Sequence, residues 1–271
     1  ENFDRNWRFH LGDPPDERWW SNPDASNWRT LDLPHDWSIE LEREPDAPSW
    51  ASGGYFQMGR SWYRKAFEVP EDWEGKKVFI EFEGVYMNAE DWLNQNFLGR
   101  HPYGYTTFAY DLTPYLKAGE ENTLTVKVDN DCQLNSRWYS GSGIYRHVWL
   151  MVTDPVHVGH WGVYVTTPEV SEDQATVKVE TTLENEADTE AEGRHRSEGV
   201  TAREGGHTRD LPATERISLV VESHRSGRTR TQRRTPTRRQ NSTPMGRRAV
   251  CSAFGHHSVS LSGNIIAGSI V

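Results

Sequence analysis

The chain has 271 residues, a formal net charge of −10 at pH 7 and 35 % apolar residues. That apolar share is below the ~45–50 % of an ordinary globular domain, a range that also counts glycine. No apolar run reaches the ~18 residues of a membrane helix, which excludes a helical span. Two cysteines, Cys132 and Cys251, exclude a disulfide framework and show no metal-ligand spacing. The chain starts at Glu1 with no signal peptide, and the missing initiator Met suggests a processed or truncated start.

Composition divides the chain. All twelve Trp and all ten Tyr stand at or before Tyr164, and Phe254 is the only Phe beyond it. Acidic residues dominate up to Gly193. From Arg194 onward there are fourteen Arg and no Lys.

Taken in order, the acidic part predicts strands. "WYRKAFEV" carries β-formers at Trp62, Tyr63, Phe67 and Val69. "KKVFIEFE" turns Val78, Ile80 and Phe82 to one face. "NTLTVKVD" does so with Leu124, Val126 and Val128, leaving Thr123, Thr125 and Lys127 outward. "RHVWLMV" repeats the pattern at Val148, Leu150 and Val152. Period-2 alternation gives one buried and one wet face. No stretch sustains a helical period, so the fold class is all-β, a sandwich. The first sandwich should occupy 1–153. A second set of strands, "VHVGHWGVYVTT" and "ATVKVETTL", the latter with Val177, Val179 and Leu183 inward, opens at 154 and has too few members by 193 to complete an immunoglobulin-like sandwich of ~100 residues.

Residues 194–271 have no usable periodicity, and their densest basic run is "RTRTQRRTPTRRQ" at 228–240. Arginines neutralise phosphates, so a nucleic-acid arm is one reading; low-complexity disorder is another. A shifted reading frame, suggested by abundant Arg, Ser, Thr, Gly and Pro without Lys, is favoured over both. A short strand is expected at "RISLVV" (216–221). The sequon at Asn241 means little in such a segment.

Four motifs stand in order: "WRFHLGD" (7–13), "LDLPHDWSIE" (31–40), "GGYFQMGRSWYRKAFEVP" (53–70) and "NSRWYSGSGIYRHVWL" (135–150). Together they resemble the N-terminal region of glycoside hydrolase family 2, the β-galactosidase and β-glucuronidase family, over residues 3–193, bacterial β-galactosidase-like members in particular. The resemblance implies a jelly-roll sandwich of the galactose-binding type, then an immunoglobulin-like sandwich, then a (β/α)₈ barrel holding two catalytic glutamates. Such a barrel needs about 250 residues, and the Arg-rich segment shows no βα pattern. Asn185-Glu186, an Asn-Glu pair in "LENEADTEAE", reads as a solvated turn. The resemblance thus implies no catalytic residue here, no cofactor or metal, and a β-galactoside or related β-glycoside as the ligand of a full-length form. Nucleic acid is not expected as a partner, and both periplasm and cytoplasm stay open. A free-standing carbohydrate-binding module is the alternative.

In the family, loops of this sandwich lean over the barrel mouth. Asn135, Arg137, Trp138 and Tyr139 fit that work by residue type: an amide and a guanidinium bond hydroxyls, and an indole stacks on a pyranose. Gly141 and Gly143 allow the turn into the next strand. Asp36 either reaches the sugar or caps a turn. His35 is expected to be a hydrogen-bonded structural residue, and Trp37 core. Two departures stand out. Asn94-Gln95 occupies a hairpin where Asn-Gly is usual, and Asp91 stands where an inward apolar residue is expected.

Overall fold

The computed structural model describes residues 1–14, 25–170 and 175–187, together with strand backbone at 191–195, 202–204, 207–209, 217–221 and 258–261. The chain falls into two compact units, Glu1–Asp154 and Pro155–Val271.

The first unit holds β1 (Trp7–Leu11), β2 (Arg29–Leu31), β3 (Arg60–Glu68), β4 (Lys77–Phe82), β5 (Ala89–Leu93), β6 (Asn96–His101), β7 (Phe108–Asp111), β8 (Glu121–Asp129) and β9 (Val148–Thr153). They form a six-stranded sheet, β2-β1-β3-β8-β5-β6, and a three-stranded sheet, β7-β4-β9. All pairings in both are antiparallel. This is the jelly-roll sandwich, and its core is the inward face of each strand. Val78, Ile80, Phe82, Leu124, Val126, Val128, Val148 and Leu150 are all buried, in one cluster with Trp7, Phe9 and Tyr63. Each such side chain contributes roughly 1.5–3 kcal/mol by leaving water.

The outer face of the larger sheet is not simply wet. Trp28, Trp62 and Trp92 form a second buried cluster there. Thr125, expected to point into solvent, does face outward but is buried. Alternation told its face correctly; it could not tell that a second apolar patch sits on that face.

Two local departures resolve physically. The β5–β6 hairpin pairs Leu93 with Asn96, so Asn94 and Gln95 form a two-residue loop, both at positive φ (48° and 73°). A type I′ turn demands this, usually with Gly. Here the Asn94 side chain fixes it: its amide donates to Tyr115 O (2.9 Å) and Asn122 Oδ1 (2.6 Å), and its oxygen accepts from Thr123 N (2.9 Å). Asp91 points inward as expected. It pairs with Val126 and Gly99 and is fully buried, and neither carboxylate oxygen has a hydrogen bond of good geometry. The Tyr110 ring lies over Gly99, where a Cβ would meet it at 2.6 Å. Burial drives the Asp91 carboxyl well above the usual carboxylate range; the nearby Tyr110 hydroxyl works against that, and Glu90 adds to it.

In the second unit, β10 (Val156–Val170) and β11 (Ala175–Asn185) form a long antiparallel hairpin, joined on the β11 side by β16 (Ser258–Leu261). Shorter pairs are β12 (Ala191–His195) with β15 (Ile217–Val221), and β13 (Ala202–Glu204) with β14 (His207–Arg209). The strand expected at 216–221 therefore exists, paired to β12. The side chains of Val177 and Val179, the basic run at 228–240, the sequon at 241–243 and Cys251 lie outside the described residues. Asn185 corrects an expectation. It is buried at the end of β11, with Oδ1 accepting from Ala187 N (3.0 Å), while Glu186 is exposed. The amide satisfies the backbone as the strand ends, an Asx turn.

Candidate functional site

Residues 141–144 run between two backbone neighbours. On one side His35 N donates to Ile144 O (2.8 Å) and Trp37 N to Ser142 O (3.0 Å). On the other, Tyr86 and Gly143 exchange both backbone bonds (2.9 and 3.0 Å). The close fit explains both glycines. Gly143 has φ +126°, and a Cβ there would lie 2.3 Å from the Tyr63 hydroxyl and 2.7 Å from His35 O. Gly141 has φ +74°, and a Cβ would lie 2.8 Å from Asp36 Oδ2.

The Asp36 carboxylate accepts three hydrogen bonds. Oδ1 accepts from Ser38 N (3.1 Å) and Ser142 N (2.9 Å), and Oδ2 accepts from the Tyr139 hydroxyl. Asp36 thus holds its own turn and ties it to the 139–142 segment. Burial, and then the Asp36 carboxylate, hold the Tyr139 phenol far above the ordinary tyrosine range. The Tyr139 ring packs on Phe56 at 5.2 Å. Phe56 also lies under the Arg43 guanidinium (4.8 Å).

A second anchor is Asn130, fully buried just after β8. Its amide donates to Gly141 O (3.0 Å) and Ser142 Oγ (2.8 Å), and Oδ1 accepts from Gln133 Nε2 (3.0 Å) and Asn135 Nδ2 (2.7 Å). Ser38 Oγ donates to Ser142 Oγ (2.7 Å), and the Met58 sulfur accepts from Ser38, Ser142 and Asn130. Asn135 also accepts from the Tyr86 hydroxyl (3.3 Å).

The five candidate residues thus sort into two groups. Asp36, Asn135 and Tyr139 are brought together around the network that fixes the loop. Arg137 and Trp138 project into solvent from between them, and Trp138 is 80 % exposed. Its backbone N–H is tied to Ser136 Oγ (3.2 Å).

His35 is structural, as expected. Nδ1 lies 2.7 Å from the Tyr63 hydroxyl and Nε2 lies 2.8 Å from Arg29 Nη2. A guanidinium only donates, so Nε2 accepts and the proton sits on Nδ1. Burial lowers the imidazole's proton affinity, against the opposing pull of Glu40. Trp37 is core. Sequence reasoning missed Asn130, Ser142, Ser38 and Met58. The one signal was the polar run "DND" closing β8, since polar residues closing a strand often satisfy the adjoining loop. Among the described residues no group of three or more His, Cys, Asp or Glu is placed to hold a metal, and no helix is long and apolar enough to cross a membrane.

Comparison with known proteins identifies the domain that carries this loop. Residues 1–155 match the family described as glycosyl hydrolases family 2, sugar binding domain. The chain is 48 % identical to the β-galactosidase BoGH2A of Bacteroides ovatus over 228 residues, covering 80 % of this chain and 27 % of that protein. It is 41 % identical to a putative β-glucuronidase of Formosa agariphila, covering 66 % and 17 %. Among solved structures, a family 2 member from Bacteroides cellulosilyticus superposes with a TM-score of 0.70 at 37 % identity, over 83 % of this chain and 28 % of that one. A β-glycosidase from Bacteroides vulgatus gives 0.68 at 36 %, over 81 % and 27 %. The chain spans about a quarter of the length of the first of these relatives. An 80 % share of the chain is more than residues 3–193 can supply, so the likeness reaches past the point where the motifs end. With its first 155 residues matched throughout, this chain belongs to glycosyl hydrolase family 2 and carries that family's sugar-binding domain.

Proposed function

We propose that this chain supplies the sugar-facing N-terminal part of a retaining β-galactosidase-like hydrolase, with the Asn135–Tyr139 loop contacting the glycone. One observation carries the reading. Trp138 stands 80 % exposed on a loop whose two flanks are fixed by Asp36 and Asn130. An exposed indole on rigid support is prepared to stack on a pyranose, and Arg137 beside it offers donors to ring hydroxyls. Asp36, Asn135 and Tyr139 act as positioning residues.

Bond cleavage is assigned elsewhere. Retention needs two carboxylates about 5 Å apart across the scissile bond. Near the loop, the Asp36 carboxylate is already occupied by three donors. The described residues form strands and short 3₁₀ helices, with no (β/α)₈ barrel among them. In this reading residues 1–153 are the sugar-binding jelly roll, 154–193 begin an immunoglobulin-like sandwich, and 194–271 form an Arg-rich tail. A β-glucuronide is the second reading, supported by the exposed Arg137, whose guanidinium matches a uronate carboxylate.

Saturation-transfer NMR with methyl β-galactoside and methyl β-glucuronide tests this. Binding of either sugar, lost in Trp138→Ala, is expected. Equal signals in wild type and variant overturn the reading. Nitrophenyl glycosides of both sugars should not be hydrolysed by the purified chain above a buffer blank.

A further inference from the structure

Between β6 and β7 the chain makes a turn, "PYGYTT" (102–107), that exposes two aromatic rings. Tyr103 is 58 % and Tyr105 53 % exposed. Exposed rings on a loose loop would mean little, but this turn is tightly built. A Cβ on Gly104 would lie 2.2 Å from Tyr86 Cδ2, so the backbone lies flat on a buried ring. Gly104 O accepts from the Tyr145 hydroxyl (2.7 Å), and His101 Nε2 meets Thr106 Oγ1 at 2.9 Å while its ring stacks on Phe108. Tyr86 and Tyr105 meet edge to face at 5.2 Å, and Tyr103 and Tyr105 at 5.7 Å with planes 67° apart.

The turn also adjoins the candidate loop. The Tyr86 hydroxyl donates to Asn135 Oδ1, and the Tyr105 hydroxyl faces Tyr86 and Ser136. The hydroxyl end of Tyr105 is therefore turned inward while much of its ring remains in water. Pre-positioned apolar faces beside hydrogen-bonding groups match the two-sided chemistry of a sugar, whose C–H face is apolar and whose rim is polar.

We propose that Tyr103 and Tyr105 form a stacking platform for a further ring of a β-linked oligosaccharide whose first ring is held at Trp138. This rests on the saccharide-binding reading above and extends it from a single glycone to a chain. The two contacts belong to different segments that meet at Asn135–Ser136, and the proposal assigns them to different rings of one occupant. The platform acts through ring faces, so the phenolic hydroxyl is not needed for stacking.

The test uses the full 271-residue chain and calorimetric titration with two probes, methyl β-D-galactopyranoside and β-1,4-galactotetraose. Wild type should bind the tetraose about tenfold more tightly than the monosaccharide, the scale of one good stacking contact. Tyr103→Ala and Tyr105→Ala should each reduce that advantage toward unity and leave monosaccharide affinity unchanged, and Tyr105→Phe should keep it. Thermal midpoints are checked alongside; Tyr103→Ala should leave the midpoint unchanged, and Tyr105→Phe, which keeps the ring packed on Tyr86, controls for a stability loss in Tyr105→Ala. A chain-length advantage that survives in both alanine variants overturns the platform alone. Failure of wild type to bind either probe overturns the parent reading with it and marks the tyrosines as a packing surface for protein.

Discussion

The two units share antiparallel strands and differ in outcome. In β4, β8 and β9 the alternating apolar residues are buried between two sheets. β10 is also an antiparallel strand rich in β-branched residues, but without that alternation, and it leaves Val158, Val163, Tyr164, Val165 and Val170 exposed. Alternation specifies a strand and a face able to be buried; burial itself needs a second layer to receive it. Within the first unit the six-stranded sheet meets the three-stranded one, and the candidate loop inherits its rigidity from that meeting. Gly143 presses on Tyr63 from the core, and Asn130 follows directly from β8.

The largest effect should separate the two units. Phe82→Ala empties a site in the core and should cost about 3–5 kcal/mol of stability. If urea denaturation shows less than about 1 kcal/mol, the first sandwich does not hold its core as described.

Next comes the flaw in that core. Asp91→Val should stabilise the protein by about 1–3 kcal/mol, the scale of relieving a buried unsatisfied polar group. The sign of its pH dependence also follows. The folded state keeps a proton on Asp91 that the unfolded chain loses above about pH 4. Asp91 therefore makes stability fall as pH rises from there toward its elevated value. Denaturation midpoints measured from pH 4 to 7 should fall more steeply in wild type than in Asp91→Val.

A smaller loss tests the tie between sandwich and loop. Asp36→Asn has one acceptor oxygen for three donors and should cost about 1–2 kcal/mol, the range of a hydrogen bond to a charged group. Tyr139 should then titrate closer to the ordinary tyrosine range, which ultraviolet difference spectroscopy reads directly. The smallest effect belongs to the second unit. Val165→Thr on exposed β10 should change stability by less than about 0.5 kcal/mol. A loss as large as that of Phe82→Ala would show that this face is covered after all, and the contrast between the units would collapse.

These contrasts also mark what the sequence could tell. Strands β3, β4, β8 and β9 were legible from β-formers and period-2 alternation, and the eight named core residues on the last three of them because that alternation reports faces directly. Asp91's inward placement was expected from the register of the family it resembles, not from alternation. The burial of Thr125 was not legible, because its cross-strand neighbours Arg64 and Trp92 come from other segments. In the site, residue type pointed to Asn135, Arg137, Trp138, Tyr139 and Asp36, but not to which of them anchor and which face outward. That division depends on Asn130 and Ser142, whose partners lie on other loops. The composition break at 193 is not the limit of the likeness to the Bacteroides ovatus protein, which covers 80 % of the chain.

The Asn130 side chain has a consequence for chemical ageing. Its nitrogen donates to Gly141 O, Ser142 Oγ and the Met58 sulfur while its oxygen accepts from two amides, a division that among side chains of its length only a carboxamide provides. Spontaneous deamidation would replace that nitrogen with an oxygen. The new carboxylate would face the carbonyl of Gly141, acceptor against acceptor, at a buried position. One hydrolysed amide, a change of a single mass unit, would push the loop away from the sandwich that holds it. A stored preparation should therefore lose the placement of its 135–142 loop before it loses its fold.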